Sequence, residues 1–228
     1  MNRLKWVRSV IVLGLIPLLL FISVSFLKNQ NYYLISTLIL VALMLPFGLE
    51  YKLREPNTKK LVLIASLSAI ATIGRIAFYM LPQFKPVLAI VILSAVILGP
   101  YEGFLVGALT GFVSNFYFGQ GPWTVWQMFA FGITGFAAGY LFRKFRLSRL
   151  ALCIYGILSA FLIYGLIMNF ASIVMVSGPI TKHRVLATYA AGISYDLIHG
   201  IATYIFLFLI YHPFTETLKR IKVKYDIE

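Results

Sequence analysis

The chain has one cysteine and only seven acidic residues among 228. A lone Cys153 excludes an intrachain disulfide framework and leaves the redox compartment open. So few acids argue against a proton- or sodium-coupled carrier, which places several ionisable groups along its path. No Ser-, Gly- or charge-rich linker divides the sequence and no repeat of fixed period runs through it, so it reads as one bundle with short loops. A G-x-S-x-G elbow, an H-E-x-x-H zinc helix and a G-x-x-x-x-G-K-[ST] phosphate loop are all missing. With no means of hydrolysing ATP, a transporter of this kind would draw its energy from a partner.

What is abundant is apolar: 61% of residues are hydrophobic, 12% are charged and the mean hydropathy is +0.89. Runs of about twenty such residues cross a hydrocarbon core of about 30 Å at a rise of about 1.5 Å per residue. The alternation of a membrane barrel is absent. The fold class expected is therefore an all-α integral membrane protein. Eight spans are read, at 7–27, 32–50, 60–81, 86–99, 101–118, 122–142, 149–178 and 184–211. The fourth is short and its neighbour follows after Gly99-Pro100, which predicts a tight helical hairpin.

The formal charge of +13 is distributed by topology rather than gathered for nucleic acid. One set of loops holds Arg3, Lys5, Arg8, Lys52, Arg54, Lys59, Lys60, Arg143, Lys144, Arg146, Arg149, Lys219, Arg220, Lys222 and Lys224. The opposite set holds Lys28, Lys85, Lys182 and Arg184, and Arg75 lies inside a span. Fifteen against four places both termini in the cytoplasm by the positive-inside rule, with some attraction to anionic lipid. The first span also has the basic start and Ser23-Val24-Ser25 of a signal peptide. It is long for one, and "FLKNQNYY" is a poor cleavage context; its removal would leave seven spans in the same orientation.

On that topology the stretch "FGQGPWTVWQM" (118–128) faces outward. Trp123 and Trp126 read either as interfacial anchors or as part of a site. Just before them, Gly99, Gly103, Gly107 and Gly111 recur every fourth residue, a spacing that lets two helices approach closely. That row ends at Asn115. Other polar groups share the outer half: Arg75, Asn169, and a helical stripe of Tyr189, Gly192, Asp196, His199 and Thr203. An ionised Asp or Arg at a helix centre costs roughly 2.5–3.5 kcal/mol to insert, so these groups need a cavity or a partner. One reading is a structural lock, Arg75–Asp196 or Asp196–His199. The other is an outward pocket of Arg75, Asn115, Trp126, Gln127, Asn169, Tyr189 and Asp196, with Trp123 and His199 completing the candidate set. Glu102 reads as a charge favoured by its helix N-terminus, and Lys85 as a snorkelling lysine or a cover for the pocket mouth. Asp196 and His199 are too few for a closed metal site; an intramembrane enzyme built on them lacks a recognisable nucleophile.

Three segments carry a family resemblance: "LIASLSAIATIGRIAF" with Ala65-x-x-x-Ala69, "VILSAVILGPYEGFLVGALTGFVSNFYFGQGPWTVWQMFAFGITGFAAGYLF", and "SYDLIHGIATYIF". From Lys60 onward the chain resembles the substrate-binding S-component of energy-coupling factor (ECF) transporters, the vitamin importers of prokaryotes, and most closely the cobalamin-type members. The resemblance implies a six-helix core at 59–228; outside it lie two extra transmembrane helices at 1–58, which many such proteins lack. It implies a vitamin held near the outer surface of the cell membrane; with the enzyme motifs and a metal-ligand set missing, no cofactor, no metal and no catalysis are expected. Ala65 and Ala69 would dock on a transmembrane coupling subunit driven by two cytoplasmic ATPase subunits, the S-component toppling to deliver its cargo. Cobalamin or a related corrinoid is the substrate expected, with another vitamin or precursor as the alternative. Internal packing is the competing reading for the two alanines.

Overall fold

A computed structural model of the chain describes residues 2–26, 31–53, 58–143 and 148–227. Of the basic residues in the topology count, Lys28, Arg54, Lys144 and Arg146, and the side chains of Arg3, Lys5 and Lys52, lie outside the described residues. All regular structure among the described residues is helical. The first rod runs through α1 (Asn2–Val10), a π-helical stretch (Ile11–Leu15) and α2 (Ile16–Ser25). Next come α3 (Tyr32–Leu53), α4 (Thr58–Ala77), α5 (Val87–Leu98), α6 (Pro100–Phe118) and α7 (Trp123–Leu141). A further rod joins α8 (Arg149–Ser159) through a second π-helical stretch (Ala160–Gly165) to α9 (Leu166–Met175), and α10 (Lys182–Tyr225) ends the bundle. Among the described residues, four helical stretches are long and apolar enough to cross a membrane: Trp6–Ser25, Thr58–Ala77, Arg149–Met175 and Lys182–Tyr225. Tyr32–Pro46 and Val87–Leu98 are apolar but shorter.

The centre of the bundle is α5, α6 and α7. Helix α5 is apolar on every side and is buried on nearly all of them, as such a helix must be. Gly99, at φ +130°, turns the chain straight into α6, and Pro100 occupies the first turn, where its missing N–H costs nothing. This is the hairpin the sequence predicts. The glycine row then brings backbones together. A Cβ on Gly107 would lie 2.5 Å from the Phe131 carbonyl carbon, and one on Gly111 would lie 3.0 Å from the Met128 nitrogen. From the other side, Gly135 meets the Gly103 carbonyl oxygen. Helices α6 and α7 are joined by these contacts.

The N-terminal rods pack on this centre through polar contacts as well as apolar ones. Glu102, on α6, is buried; its Oε1 accepts from Arg8 Nη1 at 3.3 Å and from Lys60 Nζ at 2.7 Å. The neighbouring Tyr101 hydroxyl donates to the Leu43 carbonyl. Glu102 therefore joins α1, α4 and α6, a larger role than the helix-end charge expected of it.

Helix α10 continues well past residue 211, where its span was expected to end. At about 1.5 Å per residue, its 44 residues reach roughly 66 Å, about twice a hydrocarbon core. Pro213 removes one backbone bond without ending the helix, and Thr215 Oγ1 donates back to the Tyr211 carbonyl at 2.6 Å. The helix stops only at Asp226, in the left-handed conformation.

Candidate ligand pocket

At the end of the bundle opposite Glu102, the α4–α5 loop (78–86) arches over the ends of α4, α6 and α7. Beneath it lies a cavity of about 460 Å³. Its walls are Arg75, Tyr79, Met80, Pro82, Gln83, Lys85, Val87, Phe118, Gln127, Phe131, Tyr164 and His199. Met80, at the rim, is 83% exposed, whereas Arg75 on the floor is 7% exposed.

Arg75 is held on three sides by neutral acceptors. Its Nη1 donates to the Ser114 hydroxyl and to Asn115 Oδ1 at 2.9 Å, and its Nη2 donates to Gln127 Oε1 at 3.3 Å. The guanidinium carbon lies 4.4 Å from the centre of the Phe118 ring and 5.8 Å from that of Phe131. Asn115 does not line the cavity. It stands behind Arg75, and its Nδ2 donates to Thr124 Oγ1 at 3.0 Å and to Gln127 Oε1 at 2.9 Å.

The far wall is aromatic. Phe131 and Tyr164 stack with centroids 4.8 Å apart, and His199 meets the Tyr164 ring edge-on at 4.6 Å. Tyr164 comes from the π-helical stretch, a local widening that recurs at functional sites. His199 is buried, and its Nδ1 has no hydrogen-bond partner among the described residues. Lys85 lines the cavity from the α4–α5 loop: its Nζ donates to the Leu81 carbonyl at 2.8 Å and the Phe78 carbonyl at 3.3 Å, and lies 5.7 Å from the Phe118 ring. Burial, and secondarily the charge of Arg75, push the Lys85 ammonium below its ordinary pKa.

Of the candidate residues, the cavity takes in Arg75, Gln127 and His199, with Asn115 supporting them. Five others stand elsewhere. Trp123 is 40% exposed and donates from Nε1 to the Gly119 carbonyl at 3.2 Å, stitching the α6–α7 turn. Trp126 is buried edge-on against Phe170. Asp196 accepts from Asn169 Nδ2 at 3.0 Å, and a Cβ on Gly165 would strike its carboxylate. The Tyr189 hydroxyl donates to the Leu166 carbonyl at 3.1 Å. Those three residues fasten α10 to α9, and neither proposed lock, Arg75–Asp196 or Asp196–His199, occurs among the ion pairs of the described residues. Helix rotation explains the split: residues 196 and 199 differ by about 60° around the axis, enough to send one outward and the other inward. Aromatic wall residues such as Phe118, Phe131 and Tyr164 escaped the sequence reading because in an apolar span they resemble ordinary core.

On α4, Ala65 and Ala69 lie on the exposed side with Val62, Ile70 and Ile73, while Leu63, Ile64, Leu67, Ser68 and Ala71 face inward. Internal packing does not use the two alanines. Among the described residues no three His, Cys, Asp or Glu side chains come together as a metal site.

The family described as "ECF-type riboflavin transporter, S component" matches residues 55–220, well over half of the chain. A UPF0397 protein of Vibrio atlanticus is 34% identical over 99 residues, covering 41% of this chain and 53% of that protein. UPF0397 proteins of Aliivibrio fischeri are 34% identical over 88 residues, covering 36% of this chain and 48% of each relative. The match thus spans about half the length of these curated relatives. No solved structure matches the chain.

Proposed function

This chain belongs to the S components of ECF-type transporters, and on that premise we propose that it captures a vitamin-class ligand in the Arg75 cavity for import. Membership supports a cell-membrane protein that binds a substrate and works with a coupling subunit and ATPases. The observation that carries the reading is the cavity itself. A fixed guanidinium, an amide and an imidazole converge on a concave site walled by aromatic rings, the composition expected of a small-molecule pocket.

The excess of basic residues in one set of loops supports an orientation with both termini cytoplasmic. With both termini cytoplasmic, the 78–86 loop and the cavity face outward. The side of α4 bearing Ala65 and Ala69 then offers a small-residue surface for close approach of the coupling subunit. Outside the docking helix, the first N-terminal rod is tied to the core where Arg8 meets Glu102, and α3 where Leu43 meets Tyr101.

For the cargo, a volume of about 460 Å³ suits a drug-sized heterocycle, and the family name makes riboflavin the first compound to try. A corrinoid is the second reading, supported by the likeness of segment 99–140 to cobalamin-type members; it would have to rest partly outside the mouth. Purified protein is tested for thermal stabilisation by riboflavin, cobalamin, cobinamide, folate, pantothenate, thiamine and biotin. A ligand at 100 times its Kd stabilises by about 2.7 kcal/mol. Ala65→Leu with Ala69→Leu should then abolish co-purification of the coupling subunit and ATPases while ligand binding persists. Silence across the vitamins, or docking unaffected by both leucines, would overturn the respective half of the proposal.

A further inference from the structure

Two cations face the cavity, and among the described residues no Asp or Glu lines it. The contrast with the other end of the bundle is informative: there Arg8 and Lys60 share the carboxylate of Glu102. Among the described residues, Arg75 touches only hydroxyl, amide and ring partners. A guanidinium has five N–H donors. Nη1 is occupied by two acceptors and Nη2 by one, which leaves Nε and the second Nη2 hydrogen without a partner among the described residues. Lys85 also has a spare N–H beyond its two carbonyl contacts, and both cations sit against the same Phe118 ring.

A buried positive charge without a counter-charge is costly, and a second cation beside it adds repulsion. The nearby carboxylate of α10, Asp196, is bonded to Asn169 and lines no part of the cavity. Neutral acceptors position Arg75 while leaving its charge unspent. We propose that the ligand supplies the missing charge: it carries an acidic group, a carboxylate or a phosphate, that Arg75 and Lys85 receive together. An anionic oxygen there would take the spare donors of Nε, Nη2 and Nζ in charge-assisted bonds. This inference rests on the vitamin-pocket reading and narrows its substrate class.

The test uses the full chain in detergent and ligand pairs that differ in an acidic group. For phosphate the pairs are FMN against riboflavin and cobalamin against cobinamide; for carboxylate they are pantothenate against pantothenol and biotin against its amide. In whichever pair binds, the acidic member should bind at least tenfold more tightly, and the pair that responds identifies which acid is recognised. Lys85→Met should weaken the acidic member about tenfold and the neutral one less than twofold. Asn115→Asp places a resident carboxylate beside Arg75 and should weaken the acidic member more than the neutral one, a selectivity that a general loss of structure would not produce. A neutral member that binds as tightly as its acidic partner, or variants that weaken both equally, would overturn the inference while leaving the pocket intact. Failure of every member to bind would overturn the pocket reading and this inference with it.

Discussion

Nη1 of Arg75 lies 2.9 Å from Oδ1 of Asn115, a bond that ties α4 to α6 across forty residues of sequence. The same amide reaches α7 through Thr124 and Gln127. Replacing Asn115 by Leu would remove all three bonds and leave a guanidinium and two neutral polar groups short of partners. Buried groups stripped of a hydrogen bond cost about 1–3 kcal/mol each, so a loss of about 3 kcal/mol is expected, with partial relaxation limiting the sum. Thermal unfolding in micelles measures it. A loss below about 0.5 kcal/mol, the range of an ordinary surface change, would mean that Asn115 is not the hub described.

The glycine row predicts a sharp difference between two chemically identical substitutions. At Gly107 an added methyl would meet the backbone of Phe131 and Gly132 at 2.5 and 2.6 Å, atoms that cannot turn aside. Gly107→Ala should destabilise by about 1–3 kcal/mol through separation of α6 and α7. At Gly14 a methyl meets nothing within 4 Å, and alanine is the better helix former by up to about 1 kcal/mol. Gly14→Ala should be neutral or stabilising. Equal melting temperatures for the two variants would contradict the close approach of α6 and α7.

The apolar helices, the Gly99 hairpin and the glycine row were legible because bilayer thickness and helix contact act on short stretches of sequence. Arg75 and Gln127 were legible for a related reason, since a polar group in lipid must be explained. What could not be read was which neighbour each polar group meets. Tyr189, Asp196 and His199 share a broad stripe in sequence, but α9 stands beside one edge of it and Tyr164 beside the other. Glu102 looked like a helix-end charge because its partners, Arg8 and Lys60, are distant in the chain. The continuation of α10 was hidden by Pro213 and by the charged residues that follow it, neither of which ends the helix.

Glu102 carries the clearest prediction at the basic end of the bundle. Its single carboxylate serves Arg8 and Lys60, so Glu102→Gln would leave two cations crowded around a neutral amide. Breaking a buried pair by removing one partner costs about 3–5 kcal/mol. The lower end, about 3 kcal/mol, is expected here because Arg8 keeps some exposure. Glu102→Asp should recover part of the loss. Ligand affinity should change less than twofold, because the cavity lies at the opposite end; a large affinity change with normal stability would contradict this placement.

The pH dependence of binding follows from Lys85. Its folded pKa is lowered from 10.5 by burial and then by Arg75. Between that lowered value and 10.5 the unfolded chain therefore holds more protons than the ligand-free folded one, and stability rises with pH across that window. Binding has the opposite sign. An acidic ligand favours the ammonium, so its affinity should hold steady below the lowered pKa and fall as pH rises through it, before an ordinary lysine would titrate. Carboxylates and phosphates are already ionised there, so the fall reports the protein and not the ligand. Isothermal titration of the acidic ligand across the alkaline range should show proton uptake on binding, and Lys85→Met should abolish both the uptake and the fall. A wild-type affinity independent of pH up to 10.5 would separate Lys85 from the ligand and leave Arg75 as the sole cationic contact.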